Sequence, residues 1–387
     1  MVKKMIKIVH SNLDNIAEKY FKNIKIKCNE RTEYLKKNLE VIFNGGFHEE
    51  LKKYPLNGHS KKSVSNLLLL PDNKLQDQDN YNKLVLANCH AWIATYRVAL
   101  ERVTNYLTNE DNLKALILCS PENAIDTENG FKNYINVDDA GYKLILPIIN
   151  KIIDYSLFDN FAYDISSELG YNTCPYCNRI YIHTVIDKNK KEIIRPTFDH
   201  FFSQTDHPLL ALSFYNLVPS CYYCNSNLKG KKEMTLNTHL HPYLEGFEND
   251  IRFHIQIQDI NPDKSHPDNY HLFLKTELDD SHPKFHKTFF QRYSKPKEYK
   301  GNINLFKLNE IYNAHKDTVG ELIVKCDSLS MGYADSLTGF FPLLKTNKAE
   351  FYRFYFGNYF NEKDFHKRPL AKMSKDIISK TLPYFLD

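Results

Sequence analysis

The sequence has no apolar run approaching a membrane span. The longest, 67–70 and 144–149, fall far short of the roughly 20 residues that a spanning helix needs. The start, Met1-Val-Lys-Lys-Met, is basic, but neither an apolar stretch nor a small-residue cleavage site follows it, so no secretory leader is read. These absences predict a cytoplasmic chain without a membrane partner. There is no internal repeat and no low-complexity tract. Tryptophan occurs once, and neither sign of charge dominates: 51 Lys and Arg face 47 Asp and Glu, for a net charge of +4. That balance permits a nucleic-acid partner without arguing for one. With 42% hydrophobic and 25% charged residues, the chain is neither disordered nor a coiled coil, and 387 residues leave room for more than one domain.

Cysteine is present and needs explaining, because cytosolic disulfides are rare. Cys28, Cys89, Cys119 and Cys326 are scattered singly in apolar or helical contexts and read as small buried hydrophobes. The other four form two pairs of identical spacing, Cys174-Pro-Tyr-Cys177 and Cys221-Tyr-Tyr-Cys224. A Cys-x-x-Cys turn points both sulfurs at one place, and two such turns complete a closed thiolate tetrahedron, the coordination of structural Zn²⁺. A closed site cannot activate water, so this ion would hold the chain together. A redox dithiol is disfavoured by the presence of two pairs and by the lack of a surrounding βαβ pattern. A plain zinc ribbon without catalysis stays open.

Up to about residue 165 the chain reads as helical. Asn12 or Asp14 can cap a helix with apolar positions Ile16, Ala17, Tyr20, Phe21 and Ile24, and a second helix is predicted over about 81–107. Polar linkers at 52–62 and 71–80 lie between, and His90 and Arg97 read as members of a packed or solvated helix face. At Tyr171 the texture changes to short strand-like runs, 180–185 and 192–200, around a turn at Asp187-Lys-Asn-Lys. Further on, Phe253, Ile255 and Ile257 alternate with polar neighbours as in a half-buried strand, with 270–275 as its candidate partner. From about 304 the helical pattern returns. The aromatic and lysine-rich stretch 345–387 reads as a packed helix with solvated lysines, and nucleic-acid binding is the alternative.

Between and around the knuckles lie Thr197-Phe-Asp199-His200, then Phe214-Tyr-Asn216-Leu, then Cys221-Tyr-Tyr-Cys224-Asn225 and Lys229-Gly. An Asp-His pair ends a strand, an Asn-Leu follows across a loop, and Cys-x-x-Cys-Asn opens a helix. This order resembles the HNH, or ββα-metal, endonuclease family, over about residues 170–245, under a quarter of the chain. The family's defining histidine, central asparagine and final His or Asn fall on His200, Asn216 and Asn225, and its members often carry cysteine knuckles in this order. The resemblance implies cleavage of phosphodiester bonds. His200 would be the general base, suited by an ordinary pKa of about 6.5. Asp199 and Asn225 would supply hard oxygens to a catalytic Mg²⁺ or Mn²⁺, and Asn216 would bond backbone and hold the histidine loop. Lys229, Lys231 and Lys232 are candidate phosphate contacts, with a solvated helix end as the alternative.

Two departures stand out. Phe201-Phe202-Ser203-Gln204 follows the histidine where many members carry a proline, and the last ligand is Asn225 instead of a histidine. His207-Pro208 reads as loop packing. His239 and His241-Pro242-Tyr243 follow the module, and this tail is similar to that of nuclease effectors of Septu and retron-associated anti-phage systems, which partner an ATPase. The fold expected is α+β: a helical region over 1–165, a zinc-stapled ββα-metal module over 166–245, and a strand-then-helix region over 246–387. The activity expected is DNA cleavage. A ribonuclease using the same site, and a non-catalytic zinc module that binds nucleic acid or a protein partner, remain alternatives.

Overall fold

The computed structural model describes residues 7–44, 95–259, 261–276, 278–279, 281–288, 301–329 and 348–382, with a few isolated positions besides. The chain divides into two compact units, one of residues 12–165 and 202–217, the other of residues 1–11, 166–201 and 218–387. The first is helical. The second mixes helices with pairs of short strands, so the class is α+β. The three-part division expected from the sequence differs from this: 202–217, drawn there as part of the nuclease module, belongs to the helical unit, and the rest of the module does not separate from 246–387.

The helical unit starts with the 32-residue helix Leu13–Asn44. Ile16, Ala17, Tyr20, Phe21 and Ile24 are buried as the periodicity predicts, and the stripe continues through Cys28, Leu35, Leu39 and Ile42. It packs on Arg97–Thr108, Glu110–Ile117 and Asp139–Ile152. Asn109 ends one helix and caps the next, its side chain accepting from the Asn112 N–H at 3.0 Å. The helix predicted over 81–107 is described from residue 95. Its first part, with Cys89, His90 and Trp92, lies outside the described residues, as do the linkers 52–62 and 71–80. Arg97 is structural: it pairs with Glu101 at 2.8 Å and lies over the Phe43 ring. Among the described residues, no helix is long and apolar enough to cross a membrane.

In the second unit the expected hairpin appears only in part, as β1 (Val185–Ile186) and β2 (Glu192–Ile194) paired antiparallel, while 180–184 hold just an isolated bridge from Tyr181 to Thr173. The run read as one strand over 192–200 is two. Pro196 has no N–H for a ladder, and β3 (Thr197–His200) starts after it and pairs instead with β4 (Leu217–Ser220). β5 (Ile251–Ile257) and β6 (Tyr270–Thr276) pair antiparallel in the expected register, Ile251 opposite Thr276 and Ile257 opposite Tyr270. The alternation of burial holds at Ile251 and Phe253 and fades outward, leaving Ile257 71% exposed. Helices Lys316–Ser328 and Ala371–Thr381 pack on each other and on this sheet. Two asparagines satisfy the amides of β6: Asn309 and Asn313 Oδ1 accept from the N–H groups of Leu274 and Leu272, each at 2.9 Å. Buried Asp376 accepts from the Phe253 N–H at 2.9 Å and pairs with Lys372, joining the last helix to β5.

The aromatic C-terminal stretch packs as expected at Phe351, Tyr352 and Phe356. Several of its cations rest on rings, Lys375 over Phe360 at 4.3 Å and Arg368 over Tyr359 at 5.7 Å.

Candidate functional site

The two knuckles meet. The Sγ atoms of Cys174, Cys177, Cys221 and Cys224 all lie within 4.8 Å of one another, and all four residues are buried. A tetrahedron with Zn–S bonds of about 2.3 Å has S···S edges of about 3.8 Å, so these four cysteines can hold a zinc ion. Among the described residues this is the one group of three or more His, Cys, Asp or Glu side chains close enough to share an ion. The charges ask for one. The neighbouring S–H groups pull Cys221 well below the usual thiol range, while burial holds Cys174 up and the adjacent sulfurs hold Cys224 up. A divalent cation lets all four ionise together.

The turn after the first knuckle is tied down by Asn178, a residue the sequence reading passed over. It sits at φ +46°, a left-handed conformation that asparagine tolerates better than most residues. Its N–H donates to Cys174 O at 2.7 Å, its amide nitrogen donates to Thr173 Oγ1 and Phe365 O, and its Oδ1 accepts from the Lys372 N–H at 3.1 Å. Tyr312, buried against Phe253, donates its O–H to Cys177 O, which links the knuckle to the β5–β6 sheet.

After the second knuckle the chain does form a helix, but a wide one: Tyr223–Lys229 is a π-helix. It ends at Gly230, whose φ of +54° suits glycine and whose N–H reaches back to Asn225 O at 2.8 Å. The wide turn aims Lys229 inward. Lys229 is 3% exposed, with its Nζ 2.7 Å from Asp199 Oδ1 and also donating to His200 O. Its expected role as a surface phosphate contact is therefore corrected: it is half of a buried ion pair. Lys231 is exposed, and Lys232 is partly buried with its Nζ on Leu228 O at 2.5 Å.

Asp199 is also 3% exposed, and both carboxylate oxygens are engaged. Oδ1 accepts from Lys229, and Oδ2 accepts from the Tyr176 O–H at 2.7 Å. Burial and the Asp199 charge hold the Tyr176 phenol well above its ordinary value, so it stays a donor. A divalent ion at Oδ1 has to compete with the Lys229 ammonium. His200 ends β3 and is partly buried. Asn225 donates through Nδ2 to Phe198 O at 3.4 Å, on the strand that carries Asp199 and His200, which leaves Oδ1 as its acceptor atom. Asn216 lies in the helical unit and binds backbone only: Oδ1 accepts from the Phe202 N–H at 2.7 Å, and Nδ2 donates to Phe202 O and Leu210 O.

Sequence reasoning also missed Tyr176, whose place between two cysteines suggested nothing beyond a knuckle filler, and the part played by His241. The His241 ring is fully buried, 4.1 Å from Phe201 between centroids, and burial, helped by the Lys229 charge, lowers its pKa to about 3. It is neutral and accepts the Tyr243 N–H on Nδ1 at 3.2 Å. His207, in the helical unit, is held by buried Glu128 at 2.7 Å. The lone cysteines Cys28, Cys119 and Cys326 are buried and their thiols pushed up by burial, Cys28 and Cys326 to about 12, as inert thiols should be.

No family model, curated protein or solved structure matches the chain.

Proposed function

We propose that the chain is a metal-dependent endonuclease of the HNH kind that hydrolyses phosphodiester bonds of double-stranded DNA. One observation carries this reading: the end of β3 and the segment after the second knuckle meet, through Lys229 on Asp199 and His200 and through Asn225 on Phe198. The strand end that carries Asp199 and His200 thus meets the segment that carries Asn225 and Lys229. In this reading Zn²⁺ in the four cysteines fixes the two segments and takes no part in hydrolysis. His200 takes the proton of the attacking water. Asn216 steadies the backbone at Phe202, two residues further along the chain. Bound Mg²⁺ or Mn²⁺ supplies charge stabilisation at the phosphate. Asn225 Oδ1 and Asp199 would hold it, on the condition that Lys229 gives up its place on Asp199. An ATPase partner and an anti-phage role belong to the same proposal.

The test is cleavage of supercoiled plasmid by the purified protein with Mg²⁺ or Mn²⁺, set against His200→Ala. General-base removal is expected to slow cleavage by about 10²–10⁴-fold. Undiminished cleavage by the variant sinks this assignment of His200. RNA of the same sequence in a parallel reaction separates ribonuclease from deoxyribonuclease activity.

The burial of Asp199 and Lys229 favours a second reading, a zinc module that binds nucleic acid or a protein partner without cutting. Its signature is tight binding with no cleavage by the intact protein at any divalent ion tried.

A further inference from the structure

We infer that the β1–β2 ribbon, residues 185–194, grips the phosphodiester backbone of the double-stranded DNA cut at His200; the inference rests on the nuclease reading above. Two-stranded ribbons are marginal by themselves and are normally supported through one apolar face. This one has no buried residue: Val185 and Ile186 are each 40% exposed, Ile193 52% and Ile194 56%. Successive side chains point to opposite faces of a strand, so Val185 and its partner Ile194 leave one face of the ribbon apolar and uncovered.

The turn says what covers it. Asp187 Oδ1 accepts from the N–H groups of Asn189 at 2.8 Å and Lys191 at 2.7 Å, and its backbone N–H donates to Lys191 O at 2.9 Å. Lys190 takes a left-handed conformation at φ +62° to close the turn. The Asp187 carboxylate is thus spent inside a rigid turn, while Lys188, Lys190 and Lys191 are exposed at its tip. A basic, pre-organised tip on an uncovered ribbon complements a polyanion more than an apolar protein surface. A two-stranded ribbon is also a shape that enters the DNA major groove, where aliphatic side chains meet thymine methyl groups and lysines reach phosphates.

The ribbon lies close to the reaction along the chain. Lys191, the last lysine of the tip, lies nine positions before His200, and at about 3.3 Å per residue these span at most about 30 Å. That is less than one turn of DNA, about 34 Å. A duplex cut at His200 passes within reach of the lysine tip.

The experiment measures binding of the full, zinc-loaded chain to a labelled 30-base-pair DNA duplex by fluorescence anisotropy at several salt concentrations, with Ca²⁺ in place of Mg²⁺. The wild type is compared with Lys188→Gln/Lys190→Gln/Lys191→Gln, with Ile193→Ser/Ile194→Ser, and with His200→Ala. Each phosphate contact contributes about 0.9 to the slope of log Kd against log salt. The triple lysine variant is expected to lose about 2–3 from that slope and to bind about tenfold or more weakly, with unchanged zinc content and melting temperature. The isoleucine variant is expected to bind more weakly with its slope unchanged. Wild-type slope and affinity in the lysine variant overturn the inference, as does failure of the wild type to bind the duplex. Loss of a concentration-dependent dimer in the isoleucine variant, with DNA binding intact, makes a second copy the occupant and also overturns it. Tighter binding of duplex RNA through the same lysines overturns the DNA assignment. His200→Ala keeps the two claims apart: it is expected to bind normally and not cut. In the Mg²⁺ plasmid assay, absence of cleavage by the wild type defeats the nuclease reading, and undiminished cleavage by His200→Ala defeats only the assignment of His200, whereas wild-type binding by the lysine variant defeats the ribbon alone.

Discussion

The two knuckles have the same pattern, Cys-x-x-Cys-Asn, and the structure uses the two asparagines in opposite ways. After Cys177, Asn178 is fully buried in a left-handed turn with both ends of its amide bonded into the body of the unit. After Cys224, Asn225 lies in the first turn of a π-helix that begins at Tyr223, is partly buried, and bonds one carbonyl of the neighbouring strand. The first knuckle is an anchor and the second carries the candidate chemistry. The contrast teaches that local pattern places sulfur, which needs only a short turn, while the surroundings decide what the next residue is for.

The largest expected effect tests what the knuckles share. Cys174→Ser and Cys221→Ser should be equally damaging, because either opens the tetrahedron. Structural zinc contributes roughly 10–16 kcal/mol in small zinc peptides. Zinc content should fall from one ion per chain. Hydrogen exchange should show the amides of 174–201 and 218–229 losing protection while those of Arg97–Thr108 keep it, since that helix buries Leu100, Val103 and Leu107 without help from metal. Unequal loss of zinc between the two variants would break the equivalence.

The next effect concerns the buried ion pair at Asp199, which touches the second knuckle through Lys229 and the first through Tyr176. Asp199→Ala leaves the Lys229 ammonium buried and unpaired, which costs about 3–5 kcal/mol. The melting temperature should drop sharply, and adding Lys229→Met should recover most of the loss. A harmless Asp199→Ala would mean that the pair opens readily, as metal binding at Asp199 demands.

The asparagines themselves come next. Asn178→Ala strands buried partners and places alanine in a left-handed turn, for roughly 2–4 kcal/mol by denaturant titration. Asn225→Ala should cost under about 1 kcal/mol in stability and instead reduce plasmid cleavage, so equal stability losses would erase the distinction drawn here.

The last effect is that of pH. The buried His241 has its pKa lowered to about 3 in the folded chain, against about 6.5 when unfolded. The unfolded chain therefore binds the extra proton first. This contribution to stability is intact above about pH 6.5 and falls by up to about 1.4 kcal/mol per pH unit towards pH 3. His241→Phe should flatten that slope in melts between pH 7 and pH 5.

The sequence by itself determined the elements whose cause is local. The stripe Ile16 to Ile24 specified a helix because its spacing makes one apolar face. Asp187-Lys-Asn-Lys specified a turn because aspartate can accept the amides that follow it. Cys-x-x-Cys, twice, specified a metal-sized cluster because the spacing converges two sulfurs. The break at Pro196 is equally written in the chain, since a proline cannot donate to a ladder, although the run around it otherwise reads as strand. What only the tertiary structure decided were the polar partnerships. Lys229 turned inward because a π-helix, not an α-helix, follows the second knuckle, and Tyr176 met Asp199 across 23 residues of chain. Hydrogen bonds and ion pairs between distant residues depend on where several segments end in space, and no periodicity or spacing along the chain encodes that.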